Sequence, residues 1–153
     1  LLTVLISSQF LIAQDSKLNL AQKKYDELAY PQAIKLYEEL AKDGYKSKEL
    51  FENLANAYYF KSDFAPAKIW YDSLFTVTDD LSANTYNKYV NALKTEGNYE
   101  KADVMMQKMG VKYPNDARVK VYNSNKEYSF SHQSNLFLNI LNDITNGRLS
   151  KSI

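Results

Sequence analysis

Histidine is the side chain whose ordinary pKa suits it to acid–base work near neutrality, and this sequence has one, His132. It sits in a polar stretch, Ser131-His132-Gln133-Ser134, with no partner nearby in sequence, and reads as solvated rather than catalytic. There is no cysteine, which removes disulfides, thiolate metal sites, a cysteine nucleophile and a lipidated N-terminal Cys, without fixing the compartment. The adjacent acids Glu38-Glu39 and Asp79-Asp80 would point in different directions on a helix and so do not form an acid–base pair. No HExxH, GxSxG, P-loop, GxGxxG or EF-hand pattern occurs, and the 4 glycines are scattered singly. The sequence therefore supplies no catalytic residue, no metal ligand set and no cofactor site, and points to a non-enzymatic protein that works by binding.

The elements that must position any binding residues are helices. The chain has 153 residues, the size of one domain able to bury a core. Hydrophobic residues make up 45% and charged residues 24%, while Tyr is abundant at 13 and Gly and Pro number 4 and 3. So few turn-formers favour helices over a many-turned β fold. A formal charge of +1 gives no electrostatic basis for binding nucleic acid.

Residues 1–13, LLTVLISSQFLIA, carry no charge and run directly into polar QDSK. That pattern is expected of the h-region of a secretory signal peptide cut between Ala13 and Gln14, which implies export. An initiator Met and a basic n-region are missing, and Leu11 rather than a small residue stands three before the cut. The alternative is a short buried helix; a transmembrane span needs about 20 residues.

Three segments repeat: LAQKKYDELAYPQAIKLYEEL, LANAYYFKSDFAPAKIWYDSL and YVNALKTEGNYEKADVMMQKM. Their central alanines, Ala33, Ala67 and Ala102, are 34 and 35 residues apart. Small or β-branched residues recur at Ala21, Ala55 and Val90, each after Leu20, Leu54 or Tyr89. Aromatics recur at Tyr30, Phe64 and Tyr99, and large residues at Tyr37, Tyr71 and Met106, then at Leu40, Leu74 and Met109. Phe51 and Tyr86 open the second and third repeats, where the first has Lys17, and Pro114 follows the third. Period and landmarks together resemble the tetratricopeptide repeat (TPR), a helix hairpin of 34 residues. Each such hairpin leaves an apolar stripe that only its neighbour can cover.

The resemblance implies an all-α fold, a right-handed superhelical stack of antiparallel helix pairs comprising about three repeats over residues 14–114. Helices are expected near 15–28 and 31–43, 48–61 and 64–77, and 83–96 and 99–111, the first frayed or capping because Lys17 stands where the repeat has a bulky residue. Asp43-Gly44, Asp79-Asp80 and Glu96-Gly97-Asn98 are the expected breaks. Residues 115–153 are expected to be a capping helix or an irregular tail. Within them Phe137, Ile140, Leu141 and Ile144 form one helical stripe that would cover the last repeat and end at Asn146-Gly147.

In TPR proteins the first helix of each repeat lines a concave groove. Carried across, the lining is Gln22, Tyr25 and Asp26; Glu49, Glu52, Asn56, Tyr59 and Phe60; and Asn84, Asn87, Asn91 and Lys94. Asn56 and Asn91 are equivalent positions, and an amide there can donate to and accept from a bound peptide backbone. Tyr59 and Phe60 offer area of the kind enriched at interface hot spots. The alternative is that these residues merely solvate an unused groove. TPRs that clamp a C-terminal carboxylate need a set of Lys, Asn and basic residues; here Leu18, Gln22, Asn53, Asn84 and Lys88 stand at those places, and only Asn53 and Lys88 match. The expected partner is thus a protein or peptide, with no nucleic acid, no small-molecule substrate and no cofactor.

The exported-looking start followed by these repeats also resembles the N-terminal region of OmpA-family envelope proteins, some associated with type IX secretion and gliding, over about the first 122 residues. It implies a periplasmic or outer-membrane-associated scaffold; peptidoglycan would be bound only through a domain absent from this chain. The alternative is a structural spacer or self-associating solenoid using a convex aromatic surface that includes Tyr30, Trp70 and Tyr71.

Overall fold

A computed structural model describes the backbone of residues 2–145 and the side chains of residues 14–145. These residues form seven helices and no strand: α1 (Leu2–Asp26), α2 (Tyr30–Lys42), α3 (Lys48–Phe60), α4 (Phe64–Val77), α5 (Ala83–Thr95), α6 (Tyr99–Lys112) and α7 (Ala117–Thr145). The chain divides into two compact units, Leu1–Gln107 and Lys108–Ile153.

In the first unit, α1 pairs with α2 and α3 with α4, and α2 packs on α3 as α4 packs on α5, so consecutive hairpins stack. The odd-numbered helices α1, α3 and α5 are also neighbours. The small residues that recur at the helix crossings, Ala21, Ala55, Val90, Ala33, Ala67 and Ala102, are all buried, as are Tyr37, Tyr71, Leu40, Leu74 and Met106. Without side-chain bulk at the crossing, two helix backbones approach closely enough to exclude water along their shared stripe. Helix entry is fixed by serines: the Ser47 and Ser82 hydroxyls accept from the backbone N–H of Leu50 and Thr85, each at 3.1 Å.

The turn within each hairpin is one repeated device. Leu28, Ser62 and Gly97, again 34 and 35 residues apart in the sequence, adopt positive φ of 58°, 59° and 74°. Each is followed by the same six-residue closing bond, Ala29 to Lys24, Asp63 to Tyr58 and Asn98 to Leu93, the bond of a Schellman cap.

Several expectations are corrected. Helix α1 begins well before residue 15; the side chains of residues 1–13 lie outside the described residues. Lys17 is not frayed: its ammonium pairs with Glu39 at 3.3 Å and Asp43 at 3.7 Å. Of the recurring aromatics, Tyr30 stacks on Phe60 of the next repeat at 5.4 Å, whereas Tyr99 is 68% exposed. Tyr71 is fully buried and cannot belong to an outer aromatic surface. Among the described residues, no helix is long and apolar enough to cross a membrane.

In the second unit, α7 is one 29-residue helix, so residues 117–145 are not an irregular tail. The Asp116 carboxylate accepts from the Arg118 backbone N–H at 2.9 Å and from its guanidinium at 2.8 and 2.7 Å, which fixes the helix start. Those bonds hold the Asp116 carboxyl down to about 2. No Gly or Pro interrupts residues 117–145, so weak apolar patterning was no barrier to a helix. Phe137, Ile140, Leu141 and Ile144 are 43–62% exposed. The expected C-cap at Asn146-Gly147 lies outside the described residues.

Candidate functional site

Helices α1, α3 and α5 bring together most of the expected groove residues, and the structure shows that their polar groups are already bonded to one another across repeats. Asn53 Nδ2 donates to Gln22 Oε1 at 2.6 Å and to the Tyr37 hydroxyl at 3.2 Å, and Tyr37 in turn donates to Gln22 Oε1 at 3.2 Å. The other end of the Gln22 amide donates to Asp26 Oδ1 at 2.8 Å. Asn53, one of the two matches to the carboxylate-clamp pattern, is thus engaged within the protein.

The second cluster centres on Asn56, which is 6% exposed. Its Oδ1 accepts from the buried Tyr71 hydroxyl at 2.8 Å and from Lys88 Nζ at 3.1 Å. The Tyr25 hydroxyl is pushed up to about 12, chiefly by burial and then by Tyr30, with Asn56 pulling the other way. An amide carbonyl has two lone pairs, and both are in use. Asn56 therefore serves as a buried tie between repeats rather than as a free peptide-binding amide.

Lys88 is the residue that the expected groove lining omitted. Its ammonium lies 4.6 Å from the centre of the exposed Phe60 ring, a cation–π distance. Burial lowers its pKa, and the attraction of Glu52 opposes that shift. Glu52 Oε1 accepts from the Thr85 hydroxyl at 2.5 Å, joining α3 to α5. The repeat register was the available signal: Lys88 stands one helical turn after Asn84 and one before Ala92 on the helix carrying Asn91.

The third cluster is the more accessible one. Asn91 Nδ2 donates to the Tyr59 hydroxyl at 3.3 Å, and both residues are half-buried. The Tyr59 ring meets Phe60 edge-on at 6.0 Å and Phe64 at 5.4 Å. Phe60 and Tyr59 are held from below by Tyr30 and Phe64, so two aromatic faces, one cation and one amide are arranged without needing a ligand to order them. Asn87 is half-buried and Lys94, Glu49 and Asn84 are exposed. Among the described residues no group of three His, Asp or Glu side chains is placed to hold a metal ion.

No protein-family profile matches the chain, and no curated protein does. Among solved structures, the C-terminal part of a TPR repeat-containing protein from Cytophaga hutchinsonii is similar at a TM-score of 0.59 and 17% identity. The likeness covers 71% of this chain and 45% of that one, so this chain spans less than half of that protein part. At such identity the likeness speaks to fold alone: this is an all-α helical-repeat chain with stacked hairpins like those of that TPR protein.

Proposed function

We propose that this chain is an exported scaffold that docks a segment of a partner protein along α3 and α5 within a cell-envelope assembly. The observation that carries the docking is the pre-arranged surface of Tyr59, Phe60, Lys88 and Asn91. Rings and amide already held in place lose little rotamer freedom when a ligand arrives, which lowers the entropic cost of association. The remaining N–H and carbonyl oxygen of Asn91 suit the backbone of an extended peptide, and Tyr59 and Phe60 suit an apolar side chain. Export rests on the uncharged apolar run of residues 1–13 ahead of a polar break.

The test is affinity capture from cell-envelope extract with the wild type and with the double variant Tyr59→Ala, Asn91→Ala. Asn56 is excluded as a probe because its loss would loosen the fold. Partners recovered by the wild type should be lost or reduced at least about tenfold by the variant, the effect of removing about 1.4 kcal/mol. Equal recovery would end the groove reading, and location in the cytoplasm by fractionation would end the export reading.

A second reading, a spacer that self-associates, draws on a different observation: the exposed apolar stripe of α7. A molar mass in light scattering that rises with concentration, and stops rising in Phe137→Ser, Leu141→Ser, would favour it.

A further inference from the structure

The first and second repeats together form a cleft that shares no residue with the expected groove lining. It is about 440 Å³ in volume and lined by Glu38, Ala41 and Lys42 of α2, Lys46, Phe51 of α3, and Trp70 and Ser73 of α4. Pockets that hold ligands or anchor side chains span about 300–1,000 Å³. Phe51 and Trp70 stack at 5.9 Å with planes 25° apart, and Ala41 and the lysine stems continue the apolar wall. Trp70 is only half-buried, so a large aromatic face remains open to a ligand.

The polar groups of the cleft are unequal. The Glu38 carboxylate is occupied by the Tyr58 hydroxyl, which donates to it at 2.5 Å, and the Ser73 hydroxyl donates to the Ile69 carbonyl at 3.1 Å. Lys42 and Lys46 form no ion pair among the described residues and are exposed. An apolar floor with two uncommitted ammonium groups at its edge complements a group that is apolar at one end and anionic at the other.

We infer that this cleft is a second docking site, which takes a partner segment bearing a large apolar anchor side chain next to carboxylates, the anchor against Trp70 and Phe51 and the acids facing Lys42 and Lys46. Buried aromatic anchors ringed by charges are how small contact patches gain affinity and choose partners. The inference does not depend on the groove.

Trp70 is the 1 tryptophan of the chain, so its fluorescence reports on the cleft alone. The probe is a blocked peptide with one phenylalanine flanked on each side by two glutamates, titrated into the whole chain; the control peptide has lysines in place of the glutamates. The acidic peptide should produce a saturable change in Trp70 emission, at least about tenfold tighter than the control. The double reversal Lys42→Glu, Lys46→Glu should invert that preference, with far-UV dichroism unchanged because both side chains are on the surface. Tyr59→Ala, Asn91→Ala should leave the titration as it is. The proposal is overturned if no saturable change occurs, if both peptides titrate alike, if the reversal leaves the preference intact, or if the groove variant abolishes binding. In the last case the peptide occupies the groove, and the docking surface of α3 and α5 gains the ligand that the cleft loses.

Discussion

Replacing Asn56 by leucine keeps its size and removes its hydrogen bonds, which isolates what the buried tie contributes. Tyr71 is fully buried, and its hydroxyl donates to Asn56 Oδ1 at 2.8 Å. In Asn56→Leu that hydroxyl is stranded, at a cost of about 1–3 kcal/mol. Lys88 Nζ loses an acceptor at 3.1 Å, but it is only half-buried and can turn toward water, so its share is the smaller. The expected total is about 2–3 kcal/mol. Tyr71→Phe deletes the donor and leaves Asn56 its other partners, so it should cost about 0.5–1.5 kcal/mol. In the double variant no hydroxyl remains to strand, and the losses should fall short of the sum by about 1 kcal/mol. Urea unfolding followed by Trp70 fluorescence and by far-UV dichroism measures all four proteins. With a slope of about 2 kcal/mol per molar urea, Asn56→Leu should lower the midpoint by roughly 1 M. Single losses that add within about 0.5 kcal/mol, or an Asn56→Leu midpoint equal to wild type, would refute the coupling and with it the account of Asn56 as the tie between α3, α4 and α5.

Three further outcomes are expected. Leu28→Gly and Ser62→Gly should each stabilise by about 0.5–1 kcal/mol in urea unfolding, because a side chain at positive φ costs about 1–2 kcal/mol while glycine's extra unfolded-state freedom returns only part of that; Gly97→Leu should destabilise. Stability should fall as pH rises above about 10: unfolded tyrosines ionise near 10, whereas burial first of all, offset in part by the Asn53 hydrogen bond, keeps Tyr37 neutral to about 12. The unfolded state then holds fewer protons, and Tyr37 alone removes up to about 1.4 kcal/mol per pH unit in that window, with Tyr25 adding a smaller amount because it is partly exposed. Urea midpoints at about pH 9 and about pH 11, alongside tyrosinate absorbance, test this; equal midpoints would contradict it. Ala67→Leu, which adds bulk at the fully buried Ala67 of α4, should cost about 1–3 kcal/mol or prevent stacking, and a melting temperature within a degree of wild type would show that the crossing has room.

The landmark residues show why so much of the fold was legible. Ala33, Ala67 and Ala102 mark a spacing that is a property of the chain alone, and helix ends are set by local groups such as Ser47, Ser82 and Gly97, so α2 to α6 fall within a residue or two of their expected bounds. The misses lie where local pattern is silent. Polar residues 123–136 neither break nor require a helix, so the reach of α7 was not readable from periodicity. Tyr99 occupies the same register as Tyr30, yet only Tyr30 has a Phe60 to stack on.

The groove divides along the same line. Sequence register determined which residue types stand on each side of α1, α3 and α5, because helical periodicity dictates which side of a helix each position occupies. It could not determine which of those groups are free. Asn56 and Asn91 are identical residues at equivalent places, and only the tertiary structure distinguishes the one closed in by Tyr71, Lys88 and Tyr25 from the one left open beside Tyr59. A hydrogen-bond partner is chosen by distance in space between side chains some 15 to 32 positions apart, and that choice exists only once the hairpins have stacked.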